Sequence, residues 1–282
     1  MWGTIGLAAR SLFAAGLTPL EAAVWRAAAA FVILLVFTFA TNRPALRVAR
    51  RDLPLFAAYG AISVAGYMTV YFAAIRATTV ATAAVLLYTA PAWVVILARL
   101  FLSERMTPMK YAAVALACAG CALVVGVFGP DTMRVTPAGL AAGLGAGLTY
   151  ALYSIFGKTA LRRYSPLTTV IYALGFGALC LLVFAGGLPR IPAGGVAPLL
   201  YLIAGPTTAA YLLYITGLQW VEVGRASIIA TIEPLVAAIG GALILHEPFG
   251  LSQWVGTVFV IGGVIVVGGE RLLGVNDYDV RG

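Results

Sequence analysis

Apolar residues in this chain come in runs of roughly 17 to 25, separated by short polar breaks. A helix rises about 1.5 Å per residue, so such runs match a hydrocarbon layer about 30 Å thick. The pattern predicts ten membrane-spanning helices, over about residues 2–17, 20–41, 53–75, 79–101, 108–127, 137–160, 165–187, 196–220, 223–246 and 250–270. The first begins almost at Met1 and has neither a basic leader nor a small-residue cleavage site, so it reads as an anchor that stays.

The polar punctuation is duplicated. Pro91 and Glu104 stand thirteen residues apart, as do Pro234 and Glu247, and the shift of 143 that relates them also superposes Tyr71 on Tyr214 and Gly120 on Gly263. Upstream, a shift of 147 superposes Pro19-Leu20 on Pro166-Leu167. A four-residue difference in one connection reconciles the two shifts. The expected organisation is two five-helix repeats, 1–128 and 136–270, joined at Gly129-Pro130-Asp131-Thr132 and followed by a polar tail, 271–282. Five spans per repeat is an odd number, so the second repeat enters the membrane upside down. Charge agrees with this, since Arg99, Arg105 and Lys110 surround Glu104, whereas no Lys or Arg lies between residues 226 and 270 around Glu247.

Composition excludes a soluble globule. With 62% hydrophobic and 10% charged residues, the chain lacks the polar surface to coat one, and lipid must solvate it. The net charge of +8 does not imply nucleic acid, because the basic residues sit in short connections. With the N-terminus cytoplasmic, thirteen Lys/Arg fall on the inner side and three (Arg76, Arg134, Arg190) on the outer. The expected location is a bacterial inner membrane, crossed many times, with both termini cytoplasmic. Cys118, Cys121 and Cys180 fall inside spans, where packing rather than redox chemistry is their expected role.

Pro91 and Pro234 interrupt their helices at equivalent positions. A proline removes a backbone hydrogen bond, and lipid cannot satisfy the freed carbonyl, so paired breaks in inverted repeats point to a central binding site and to gating. Glu233, beside one break, is the carboxylate placed deep in a span, on a face shared with Ala226, Ala230 and Gly240. Three roles are open to it: a proton carrier, a contact for a substrate ammonium, or a structural acid. Arg10 is a candidate partner for Glu233 or for a substrate carboxylate, with snorkelling to the interface as its alternative. Arg26 lies closer to a span end, within reach of Glu21, and Lys158 reads as an interfacial anchor.

Tyrosines pair at helical spacing: Tyr67 with Tyr71, Tyr150 with Tyr153, and Tyr211 with Tyr214, while Tyr88 precedes Pro91 by one turn. A cavity walled by tyrosines, with few fixed charges, suits small amphipathic organic molecules. Gly139, Gly143 and Gly147 form a stripe that allows close helix approach.

Other classes of function fare worse. No Asp falls in a span, His246 is the lone histidine, and no His-Glu-x-x-His or Gly-x-Ser-x-Gly occurs, so neither an enzyme nor a metal or cofactor is expected. A passive channel is disfavoured because no filter-like ring of repeated carbonyls or charges is visible.

The repeated Pro-x12-Glu, the opening Trp2-Gly3 and the segment Ser103-Glu104-Arg105 resemble the EamA repeat of the drug/metabolite transporter superfamily, across residues 2–270. The tyrosine-rich third, fourth and eighth spans resemble the YddG-type amino-acid exporters within it. This resemblance implies an all-α polytopic fold of ten helices in two inverted repeats, with spans five and ten peripheral. It also implies a central cavity, for which the matching candidates are Tyr67, Tyr71, Tyr88, Tyr211, Tyr214 and Glu233, and export of amino acids, often aromatic ones, by alternating access. Drugs or other metabolites are the alternative substrates. The expected partners are a small-molecule substrate and membrane lipid, and the expected unit is a monomer.

Overall fold

The computed structural model describes residues 1–78, 80–125, 136–245 and 250–272. The connection at 129–132, His246, Glu247 and the tail beyond residue 272 lie outside the described residues.

Among the described residues every regular element is helical. Ten helices follow one another: α1 (Ile5–Ala14), α2 (Pro19–Thr41), α3 (Arg50–Ala77), α4 (Thr82–Phe101), α5 (Pro108–Val125), α6 (Pro137–Leu161), α7 (Pro166–Ala185), α8 (Ala193–Gly217), α9 (Val223–Ile244) and α10 (Leu251–Gly269). Nine of them are long and apolar enough to cross a membrane. The chain is a multi-pass membrane protein. The first helix has 10 residues and covers only about 15 Å, half of a hydrocarbon core.

Local chemistry sets several helix ends. Thr18 opens α2 with a capping box: its hydroxyl accepts the Glu21 N–H, and the Glu21 carboxylate accepts the Thr18 N–H. Ser165 caps α7 ahead of Pro166, its hydroxyl accepting the Thr168 N–H. Gly186, at φ 73°, closes α7 in the left-handed conformation that glycine adopts without steric cost.

The residues gather into two compact units, and each draws on both halves of the sequence. The first unit comprises Met1–Phe72 and Leu152–Trp220. In it α7 lies against α2 and against α3, where a Cβ on Gly60 would fall 2.5 Å from the backbone N of Gly177. Only glycine permits that approach. The second unit comprises Ala73–Ala151 and Val221 onward. Its α5 and α10 pack on each other with backbones in near contact, a Cβ on Gly120 meeting the Gly256 carbonyl O at 2.8 Å. The glycine stripe of α6 receives α4: a Cβ on Gly143 would lie 2.6 Å from the Leu86 Cβ, and one on Gly147 2.9 Å from the Thr89 hydroxyl.

Two features distort the helices in matching places. Within α3, Tyr59–Gly66 is a π-helix, and within α8 so is Ile203–Ala209. Their first residues are 144 apart (203 − 59) and their last 143 apart (209 − 66), so they occupy equivalent positions in the duplication. The second distortion falls at the prolines. The fourth span is two helices, Val80–Leu87 and Ala90–Phe101, with Pro91 in the first turn of the latter. The ninth is likewise Val223–Ala230 followed by Ile232–Leu245, with Pro234 just after the break.

Candidate functional site

In the first unit the π-helical segments lead directly into the tyrosine pairs. Tyr67 and Tyr71 follow the π-helix of α3 and stack, ring centroids 5.9 Å apart at 15°. Tyr211 and Tyr214 follow that of α8. A π-helix turns more slowly than an α-helix and re-aims the side chains after it, which is why such segments recur at functional sites.

Around Tyr211 and Tyr214 an aromatic cluster assembles. Trp2 lies 5.6 Å from Tyr211 and 5.2 Å from Tyr214, and its indole N–H donates to the Pro206 carbonyl at 2.9 Å. Tyr153 packs edge-on against Tyr211 at 5.1 Å and against Tyr59 at 5.0 Å. The Tyr214 hydroxyl is 2.7 Å from that of Ser154. Deepest are Tyr59 and Tyr153, both buried, and neither hydroxyl has a protein hydrogen-bond partner. Two buried, unsatisfied hydroxyls are costly unless water or a ligand completes them. Gly157 makes room for one of them, since a Cβ there would stand 3.1 Å from the Tyr59 hydroxyl oxygen.

Arg26 also reaches this region. Its Nε–H donates to the Thr207 hydroxyl at 2.9 Å, on the π-helical segment of α8. The expected pairing with Glu21 does not form, because that carboxylate is held by the Thr18 N–H and hydroxyl, at 2.7 and 2.8 Å. Lys158 donates to the Leu218 carbonyl, closing the end of α8.

In the second unit the helix breaks are sealed by side chains. Pro91 supplies no N–H and Ala92 N–H turns to Thr89 O, so the Tyr88 carbonyl takes a thiol donor instead, Cys118 Sγ at 3.7 Å. The Thr89 hydroxyl donates to Leu86 O at 2.6 Å, and at the other break the Thr231 hydroxyl donates to Ile228 O at 2.6 Å. A threonine thus finishes each break, two residues before Pro91 and three before Pro234. Next to the second, the Tyr150 hydroxyl donates to Glu233 Oε2 at 3.3 Å.

Outside the spans, Glu104 and Glu222 gather charge at the start of α9. Glu104 accepts from the Val223 and Gly224 N–H groups, and Glu222 pairs with Lys110 at 2.9 Å and with Arg225 at 3.0 Å. Burial pushes the Glu104 carboxyl above the ordinary carboxylate range, outweighing the two backbone hydrogen bonds that lower it.

The EamA-like transporter family matches this sequence twice, over residues 1–126 and 137–269. The chain belongs to that family. Among its relatives, an uncharacterized transporter of Archaeoglobus fulgidus is 33% identical over 73% of this chain and 74% of its own length. The uncharacterized inner membrane transporter YicL of Salmonella typhimurium is 26% identical over 95% of this chain and 91% of its own. A probable terminal-alkyne amino-acid exporter of Streptantibioticus cattleyicolor is 28% identical over 79% and 75%. A solved crystal structure superposes with a TM-score of 0.80 at 19% identity, covering 96% of this chain and 94% of the other. At that identity the likeness speaks for the fold.

Of the residues singled out from sequence, this EamA-like transporter places Arg10, Tyr67, Tyr71, Tyr211 and Tyr214 in its first unit and Tyr88, Pro91, Glu233 and Pro234 in its second. Arg10 is exposed on α1. The pair Tyr150 and Tyr153 divides: Tyr150 turns to Glu233, and Tyr153 to the aromatic cluster. Trp2, Tyr59, Ser154 and Thr207 were not among the candidates. Ser154 carries a readable signal, standing one residue past Tyr153 and four past Tyr150 on α6.

Proposed function

We propose that this EamA-like transporter exports amino acids, neutral and aromatic ones foremost, across the bacterial inner membrane by alternating access. It would do so as a monomer, with both termini cytoplasmic and its two repeats, 1–128 and 136–270, inverted. The observation that carries this reading is the cluster of Trp2, Tyr153, Tyr211 and Tyr214 around hydroxyls that lack protein partners. Aromatic faces take the apolar side chain of an amino acid, and hydroxyls take its polar end. The amino-acid exporter among the relatives supports the substrate class.

Substrate contact is assigned to Tyr67, Tyr71, Tyr211, Tyr214 and Arg10 in the first unit, and to Tyr88 and Glu233 in the second. Pro91 and Pro234 serve as the breaks about which the transporter gates, and no catalytic group or cofactor takes part.

The test is counterflow of labelled tryptophan, threonine and methionine into liposomes holding the purified protein, with and without a pH gradient. Acceleration by substrate on the opposite side is the expected result and distinguishes a carrier from a pore. Monodisperse protein that exchanges none of the three would transfer the function to drugs or other metabolites.

A further inference from the structure

Arg26 sits where a cation is expensive. Its partner Thr207 is 14 residues into α8 from Ala193 (207 − 193), roughly 20 Å along a helix that crosses about 30 Å of hydrocarbon. A charge near mid-depth persists only with compensation or a function. Compensation is thin. Among the described residues no carboxylate pairs with Arg26, and the acid nearest to it on α2, Glu21, is committed to its own helix cap.

The geometry of the one contact matters. Guanidinium carries five N–H donors in a planar fork, and Thr207 takes only the one on Nε. Fixing Nε orients the plane and leaves the two terminal nitrogens for an end-on, bidentate partner. Thr207 precedes Tyr211 by four residues, one turn along α8, and the next residue, Thr208, has a buried hydroxyl with no partner. Trp2, on the Pro206 carbonyl, covers the same turn. Cation, unpaired hydroxyl and aromatic faces therefore meet on one stretch of α8, all within the first unit.

We propose that Arg26 is the receptor for the carboxylate of the transported amino acid, gripping it end-on while Trp2, Tyr211 and Tyr214 take the side chain. A single guanidinium neutralises one carboxylate, whereas a phosphate dianion would keep half its charge at this depth, so the site selects monocarboxylates. The assignment rests on the amino-acid reading above and adds the group that recognises the substrate's acid end.

The experiment measures tryptophan counterflow in liposomes for wild type, Arg26→Gln, Arg26→Lys and Arg162→Gln, in competition with unlabelled tryptophan, tryptophan amide and tryptamine. A charge-assisted bidentate contact is worth about 10- to 100-fold, so wild type should prefer the acid to the amide and the amine by that factor. Arg26→Gln should bring the three competitors to within about threefold of each other, Arg26→Lys should keep part of the preference, and Arg162→Gln, at an exposed arginine past the end of α6, should keep it all. The ratio among competitors does not depend on how much of a variant folds. Wild-type preference retained in Arg26→Gln, or lost equally in Arg162→Gln, overturns the assignment alone. Wild type that exchanges no amino acid overturns the amino-acid reading and the assignment with it.

Discussion

The Glu104 carboxylate accepts the Val223 N–H at 2.6 Å and the Gly224 N–H at 3.1 Å, so a residue between α4 and α5 caps the start of α9, 119 residues further along the chain. The first N–H groups of a helix have no partner within it and carry its partial positive charge, which a carboxylate satisfies on both counts. The spacing of thirteen between Pro91 and Glu104 thereby acquires a physical meaning. Proline breaks α4, and the glutamate beyond its far end ties α4 to the start of the other broken helix.

Glu104→Ala should cost about 1–2 kcal/mol, the usual loss for a helix cap, and lower the Tm by several degrees with the fold kept. Glu104→Gln should cost less, since the amide oxygen still accepts. The pH dependence follows from the raised carboxyl pKa. A folded pKa above the unfolded one gives stability that is full below the unfolded value and is lost as pH rises through the folded value. The Tm advantage of wild type over Glu104→Gln should therefore shrink as pH rises above about 4, the ordinary glutamate value, in a detergent melting series. An advantage that grows with pH would contradict the raised pKa.

Gly120 and Gly256 bring α5 and α10 together, and two of the three nearest atoms to each are backbone. A Cβ on Gly120 would meet Gly256 O and Val260 N at 2.8 Å, and one on Gly256 would meet Gly120 O at 2.7 Å. Backbone atoms cannot swing aside as a side-chain tip does, so Gly120→Val should force the helices apart and cost about 2 kcal/mol or more. Thermal stability should fall by several degrees, while the order of preference among transported substrates stays that of wild type. A changed order would place this helix pair in the recognition machinery.

Much of this architecture is legible in the sequence because a few residues leave the backbone little choice. Ten apolar runs predict the spans, and Pro91 and Pro234 the two breaks, since lipid leaves no backbone group without a partner within the fold. The π-helices were not legible. Neither Tyr59–Gly66 nor Ile203–Ala209 contains a residue that forbids a continuous α-helix apart from Pro206, and the close packing of Gly60 on Gly177 is a tertiary fact. Arg26 was misread for a related reason. Glu21 is near in sequence, but five residues put it about 140° round the helix from Arg26, and the capping box holds that carboxylate from Thr18, three residues before it.

Glu233 accepts from the Tyr150 hydroxyl at 3.3 Å beside the α9 break. Glu233→Gln preserves size and an acceptor oxygen but removes the negative charge. Counterflow should fall at least about tenfold, as when a positioned charged contact is lost, while insertion and Tm change little. If exchange with an imposed pH gradient loses its gradient sensitivity in this variant, the carboxylate carries the coupled proton. If sensitivity persists at the lower rate, it serves as a contact for the substrate ammonium.

The hydroxyls of Ser154 and Tyr214 stand 2.7 Å apart within the aromatic cluster, and this contact holds the Tyr214 ring where Trp2 covers it at 5.2 Å. Three substitutions separate the hydroxyl's role from the ring's. Ser154→Ala and Tyr214→Phe each remove one side of a hydrogen bond worth about 1 kcal/mol, so each should slow tryptophan counterflow about fivefold. The double variant should be little worse than either, as expected for residues that act through one shared contact. Tyr214→Ala removes the ring as well and should reduce counterflow well beyond the double variant. Additive losses in Ser154→Ala with Tyr214→Phe would mean that the two hydroxyls meet the substrate separately, and the aromatic wall would then be lined by two polar contacts rather than one.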